Sequence, residues 1–124
     1  MKYFIFIVKA IVAFILLQTL YFKFSGSTES VYIFEKLGME PFGRIGSGII
    51  ELGAAILLFI NKTKFYAALT IVGTMLGAII SHLFILGIEI MNDGGTLFIL
   101  AVITFVLSLF LVFTYRLDLK KVFN

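Results

Sequence analysis

The sequence contains no cysteine, a single histidine, a single proline and few charges. Without cysteine the chain holds no disulfide, no thiolate metal site, no iron–sulfur cluster and no CxxC redox pair. One histidine rules out a bis-histidine haem within one protomer. Redox chemistry here would need a diffusible cofactor or a partner's centre, and no covalently bound cofactor or metal site is expected. Charged residues make up 14% of the chain, where a soluble domain carries roughly a quarter. Folded in water, the molecule would have too little polar surface to cover its core.

What the chain has instead is apolar material in long blocks. Hydrophobic residues account for 61% of it and the mean hydropathy is +1.15. These values point to lipid as the solvent. The formal charge of +3 and the pI near 9.3 fit basic residues placed at membrane boundaries, so no nucleic-acid partner is expected. At 124 residues the chain suits one domain, 1–124.

Four apolar segments stand out, about 3–22, 45–60, 65–88 and 96–115. A membrane helix takes roughly 17–25 residues to cross a hydrocarbon core of about 30 Å. The second segment meets that length only if Arg44 and Asn61 or Lys62 sit at the interfaces. The expectation is an all-α integral membrane four-helix bundle. The first segment is too long for a secretory signal and lacks a small-x-small cleavage site, so it reads as a retained helix. Between the first two spans, Glu29 to Leu37 places Val31, Phe34 and Leu37 on one helical face, with Gly38 and Pro41 as stop signals. That predicts a short interfacial helix, apolar side down. Asn61-Lys62-Thr63-Lys64 and Asn92-Asp93-Gly94-Gly95 read as tight turns.

Charge sets the expected orientation. With four crossings, Lys2, Lys9, Lys62, Lys64, Arg116, Lys120 and Lys121 share one side. Lys23, Lys36 and Arg44 lie on the other, offset by Glu29, Glu35, Glu40 and Asp93. Both termini are therefore expected in the cytoplasm.

An ionisable side chain at mid-bilayer costs at least about 2.5–3.5 kcal/mol, so it usually faces the bundle and has a use. Glu51 lies seven residues beyond Arg44, roughly 10 Å deep at the helical rise. Arg44, Ser47, Gly48, Glu51, Ala54 and Ala55 share a polar, small stripe suited to helix contact, leaving Ile49, Ile50, Leu57 and Phe59 to lipid. His82 sits about 12 Å below the external surface of the antiparallel third helix, on a face with Ala78, Ile85 and Glu89. A neighbouring stripe, Thr70, Gly73, Gly77 and Ser81, includes a GxxxG. Gln18 lies less than two turns below Lys23. Depth alone brings Gln18, Glu51 and His82 to one level, with Lys23, Arg44 and Glu89 above, which predicts an outward-facing polar pocket. Each residue also has a plainer role open to it. Glu51 would pair with Lys23 or Arg44 to hold two helices in register, and His82 would hydrogen-bond a neighbouring helix. Gln18 would serve as interhelical glue, and Lys9 would snorkel to the interface.

The same residues carry a resemblance. The run Gln-Thr-Leu-Tyr-Phe-Lys-Phe-Ser-Gly from Gln18 to Gly26 resembles the end of the first helix in the DoxX family. Gly43-Arg44-Ile45-Gly46 and Gly48-Ile49-Ile50-Glu51-Leu52 are similar to that family's second helix with its glutamate. Gly77-Ala78-Ile79-Ile80-Ser81-His82 resembles its third-helix segment ending in histidine, and the Asn92 to Gly95 turn also fits. The likeness extends over almost the whole chain, through short motifs. It implies a four-helix protein of bacterial inner membranes with Lys23, Arg44, Glu51 and His82 as its polar core. Some members are associated with oxidoreductase systems, including thiosulfate:quinone oxidoreductase and a mycobacterial oxidative-stress complex.

Three functional expectations follow. In the first, the chain is a membrane subunit that binds a quinone or another small redox-active molecule. Glu51 and His82 would act on the head group, Gln18, Lys23, Arg44 and Glu89 would line the site, and a partner redox protein or a second copy would complete it. In the second, it is a non-catalytic structural or assembly subunit. In the third, it is a proton-coupled exporter like the small multidrug resistance proteins, although those carry their glutamate in the first helix.

Overall fold

In the computed structural model, residues 2–91 and 93–123 are described, with side chains described as far as Leu117. Among them the chain forms helices and no strand: α1 Lys2–Ser25, α2 Thr28–Lys36, α3 Phe42–Leu57, α4 Lys64–Ser81 and α5 Thr96–Phe123. A single π-helical turn, His82–Leu86, continues α4. Counting that turn, Lys2–Ser25, Lys64–Leu86 and Thr96–Leu117 are long and apolar enough to cross a membrane. Helix α3 has 16 residues, about 24 Å at the helical rise, and is shorter than the hydrocarbon core.

The boundaries differ from the expected spans for local reasons. Nothing breaks the first helix before Gly26, whose φ of +70° ends it, so Lys23 falls in its last turn. α3 starts directly after Pro41 and is shifted three residues toward the N-terminus. Phe59 and Ile60 close on Ile56 and Leu57 through i→i+3 turn bonds instead of extending the helix. α4 stops short of Ile88 because Gly87, at φ +83°, follows the π turn. α5 runs on past Tyr115, since no proline or glycine stands in its way. Lys120 and Lys121 in the expected charge pattern have side chains outside the described residues, and so does Asn92 of the second turn.

α1 packs on α3 and α5, and α4 packs on the same two, so each long helix has two neighbours. Their shared core includes Val8, Val12, Leu16, Ala54, Ala55, Leu58, Ala67, Ala68, Ile71 and Met75, with Ala101, Leu111 and Tyr115 from α5. Lipid tails are as apolar as leucine, so side-chain packing and interhelical hydrogen bonds hold such helices together. The alanines let the backbones approach. The expected stripe on α3 is observed: Gly48, Glu51, Ala54 and Ala55 are buried while Ile49, Ile50 and Leu57 are exposed. A Cβ on Gly48 would lie 2.8 Å from the Phe24 ring, which marks the close approach of α1 and α3. A Cβ added at Gly73 or Gly77 would meet nothing within 4 Å, so among the described residues the GxxxG marks no close helix approach. The outer surface is covered with large apolar side chains such as Phe4, Phe14, Ile50, Leu69, Phe84 and Phe113, a surface that lipid and not water would solvate.

α2 touches α1, α3 and the π turn, so it lies across one end of the molecule. Ser27 caps it, its hydroxyl accepting from the Ser30 N–H at 3.3 Å. The side turned inward carries Ser30, Ile33, Phe34 and Leu37; Val31 of the expected face is not among them.

Candidate functional site

Beneath α2 the four long helices diverge around a cavity of about 620 Å³, walled mainly by apolar side chains. Gln18, Lys23, Glu51 and His82 all line it. The depth argument thus brings together residues from α1, α3 and the end of α4. Arg44 and Glu89 are not brought to it.

Glu51 is 4% exposed. Its carboxylate accepts from Lys23 Nζ at both oxygens, 2.8 and 2.9 Å, and the same ammonium reaches Ser47 Oγ at 3.4 Å. The Phe34 ring of α2 lies 5.7 Å from Nζ. A buried carboxylate needs such a partner, because desolvating it alone would cost several kcal/mol. Lys23, and not Arg44, is therefore the counter-charge of Glu51.

Arg44 serves a different purpose. Its Nε donates to both Glu40 oxygens at 2.9 and 3.0 Å, and its Nη1 donates to the Lys23 carbonyl. It thereby adds a second donor to a last-turn carbonyl of α1 that otherwise accepts only from the Gly26 N–H at 3.4 Å, and ties that end to the start of α3. Glu89 is exposed. The helical face that would have carried it ends at Gly87, so it lies beyond the helix and away from His82.

His82 is buried, and its place is fixed twice over by Gly87. The Gly87 N–H donates to the His82 carbonyl at 2.7 Å, the i→i+5 bond of the π turn. In return the ring Nδ1 donates to the Gly87 carbonyl at 2.9 Å. The Phe98 ring of α5 packs edge-on at 5.6 Å. A carbonyl can only accept, so Nδ1 carries a proton, and of the two neutral tautomers this contact selects the one whose Nε2 is an acceptor. No described residue hydrogen-bonds Nε2. Gln18 is exposed at the edge of the cavity.

Thr104 is a site residue that the sequence reading missed. It is fully buried, lines the cavity, and its hydroxyl has no hydrogen-bond partner among the described residues. Its signal was present as Thr104 and Ser108, two hydroxyls four residues apart on one face of an otherwise apolar helix. Asp93, at the mouth, accepts from the N–H groups of Ile90 at 3.0 Å, Gly95 at 2.8 Å and Leu97 at 3.3 Å. Burial pushes its carboxyl upward, but those backbone donors outweigh it and hold the group below its ordinary 3.8. No cluster of residues able to hold a metal ion occurs among the described residues.

Fold and site together define an all-helical membrane-type protein with one capped, polar-studded cavity. No family model, no curated protein and no solved structure matches the chain.

Proposed function

We propose that this chain is the membrane subunit of an oxidoreductase system and binds a quinone or a similar small redox molecule in the cavity beneath α2. The reading carries with it a DoxX-like protein of the bacterial inner membrane, with four crossings and both termini cytoplasmic. The fourth crossing is supported by α3, which packs against α1 and α4 and turns Ile49, Ile50, Ile56 and Leu57 outward.

One observation carries the functional reading: Gln18, Lys23, Glu51 and His82, from three helices, share the wall of a single cavity of about 620 Å³. Sites for small organic molecules are concave, mostly apolar and set with a few convergent polar groups, with volumes of roughly 300–1,000 Å³. A buried imidazole and a buried carboxylate near one head group are suited to hydrogen-bond it and to relay its protons. The Lys23 ammonium would stabilise negative charge on the head group only by loosening from Glu51. With no cysteine and one histidine, electrons would come from a partner. The test is titration of the purified protein in nanodiscs with a short-chain benzoquinone and, separately, with its quinol. Saturable binding of at least one of the two forms, weakened at least about tenfold in His82→Ala and Glu51→Gln, is expected. No binding, with both variants behaving as wild type, removes the reading.

The double contact of Lys23 with Glu51 favours a second reading, a structural or assembly subunit in which that pair fixes the bundle. Stoichiometric co-purification of a partner would support it, together with loss of folding and not of binding in Glu51 variants.

A further inference from the structure

The cavity wall is unbalanced in its hydrogen-bonding capacity. The hydroxyls of Thr19, Thr74, Ser81 and Thr96 each donate to a backbone carbonyl. The three protons of the Lys23 ammonium point at the two Glu51 oxygens and at Ser47. These donors are spent. The unspent capacity deep in the cavity is of the opposite kind. His82 Nε2 is an acceptor in the neutral ring, because the Gly87 carbonyl holds the proton on Nδ1. The Glu51 carboxylate offers about four lone-pair positions and fills two with Lys23. The Thr104 hydroxyl, buried and unpartnered among the described residues, accepts or donates as its neighbour requires. The donors left are the Gln18 amide at the exposed edge and the Ser27 and Ser30 hydroxyls on the α2 cover, away from the His82 and Glu51 side of the wall.

From this we infer that the cavity selects a ligand that donates hydrogen bonds: an apolar ring bearing hydroxyl groups, which in a quinone couple is the reduced, quinol member. A quinone head turned toward His82 and Glu51 presents carbonyl oxygens, acceptors only, to an Nε2 and a carboxylate that also accept, and each such meeting leaves a polar atom desolvated without a partner. A quinol turns one O–H toward His82 Nε2 and the other toward Glu51 or Thr104. The inference rests on the cavity being a ligand site, and it adds which redox form that site prefers.

The experiment uses three ligands built on one tetramethylated ring with the wild-type protein, in nanodiscs, anaerobically and at pH 8: tetramethyl-1,4-hydroquinone, the corresponding quinone, and the hydroquinone dimethyl ether. The quinol should bind at least about tenfold more tightly than either of the others, the size of one well-formed hydrogen bond. Quinone binding as tight as quinol, or tighter, overturns the inference and leaves the ligand site standing. Equal binding of the dimethyl ether overturns it too, since no hydroxyl would then be in use. Absence of binding by all three overturns both the inference and the site. In His82→Phe, checked for folding by its thermal transition, the quinol preference should fall to within about twofold. A folded variant that keeps the full preference rules out His82 Nε2 as the acceptor.

Discussion

The two ends of this molecule are built from the same long helices and are packed in opposite ways. At the end away from α2, Val8, Val12, Leu58, Ala67, Ala68, Ile71, Leu111 and Tyr115 close into an apolar core. At the α2 end, the interior holds an ion pair, an imidazole, an unpartnered hydroxyl and a cavity of about 620 Å³. Lysines appear at both ends but are used differently. Lys9 and Lys64 lie over the Tyr115 ring at 5.8 and 4.7 Å, where a long stem reaches toward the interface. Lys23 is turned inward onto a carboxylate. Small residues let helices close where no ion pair must be housed. Where polar groups are housed, the helices part and a fifth helix covers the gap.

That contrast is most easily broken at the ion pair. Lys23→Met should destabilise the protein by about 3–5 kcal/mol, because it leaves the Glu51 carboxylate buried without a counter-charge. The double variant Lys23→Met/Glu51→Leu should recover most of the loss, since a matched apolar pair carries no desolvation penalty. Denaturant unfolding in detergent, read as a double-mutant cycle, measures both. A small effect of the single variant would show that water or the membrane interface already solvates the α2 end.

Core truncations sharpen the same comparison. Ile71→Ala removes a fully buried side chain from the closed end and should cost about 2 kcal/mol or more, because the void left behind has no other filling. Leu100→Ala, on the cavity wall, should cost less than about 1 kcal/mol, since it only enlarges existing space. Equal losses in thermal unfolding would mean that the two ends are packed alike.

How much of this was legible in the sequence follows the same division. Helix existence and the inward face of α3 were readable because hydropathy and small-residue spacing act locally; Ile49 and Ile50 could face only lipid once Glu51 faced inward. The convergence of Gln18, Glu51 and His82 followed from depth along antiparallel helices, which needs only the rise per residue. The partner of Glu51 did not, because Lys23 and Arg44 lie near the same height. The choice between them depends on where α1 ends and on Glu40 claiming Arg44. Glu89 was misplaced because a helical face was extended through Gly87, whose positive φ ends it. Thr104 went unnoticed because a threonine in an apolar helix usually bonds its own backbone, and only coordinates reveal that this one does not.

The mouth of the cavity offers a smaller, pH-dependent handle. The Asp93 carboxylate binds three backbone N–H groups around the start of α5, that of Leu97 in its first turn among them, so Asp93→Ala should cost about 1 kcal/mol, as the loss of a helix cap does. Its folded pKa lies below the ordinary 3.8. The stabilisation is therefore complete above the unfolded value and fades as pH falls through the folded one. In thermal melts, wild type and Asp93→Ala should differ fully at pH 6, and the gap should begin to close only as pH falls below the ordinary 3.8. A constant gap across that range would place the effect in side-chain packing and not in the charged cap.

The smallest expected effect is the most diagnostic of what the α2 end is for. Thr104 and valine have nearly the same shape, so Thr104→Val removes one buried, unpartnered hydroxyl and little else. At the closed end such a change would serve stability alone. On the cavity wall the ligand-free protein should gain up to about 1 kcal/mol, because a polar group desolvated without a partner is replaced by a methyl. The same variant should bind a hydroxyl-bearing ring more weakly, by a few-fold. Opposite signs in the thermal midpoint and in the affinity are the mark of a residue retained for its ligand at the expense of the fold. If Thr104→Val melts earlier than wild type, its hydroxyl already has a partner in the empty cavity, and the wall is structural at that point.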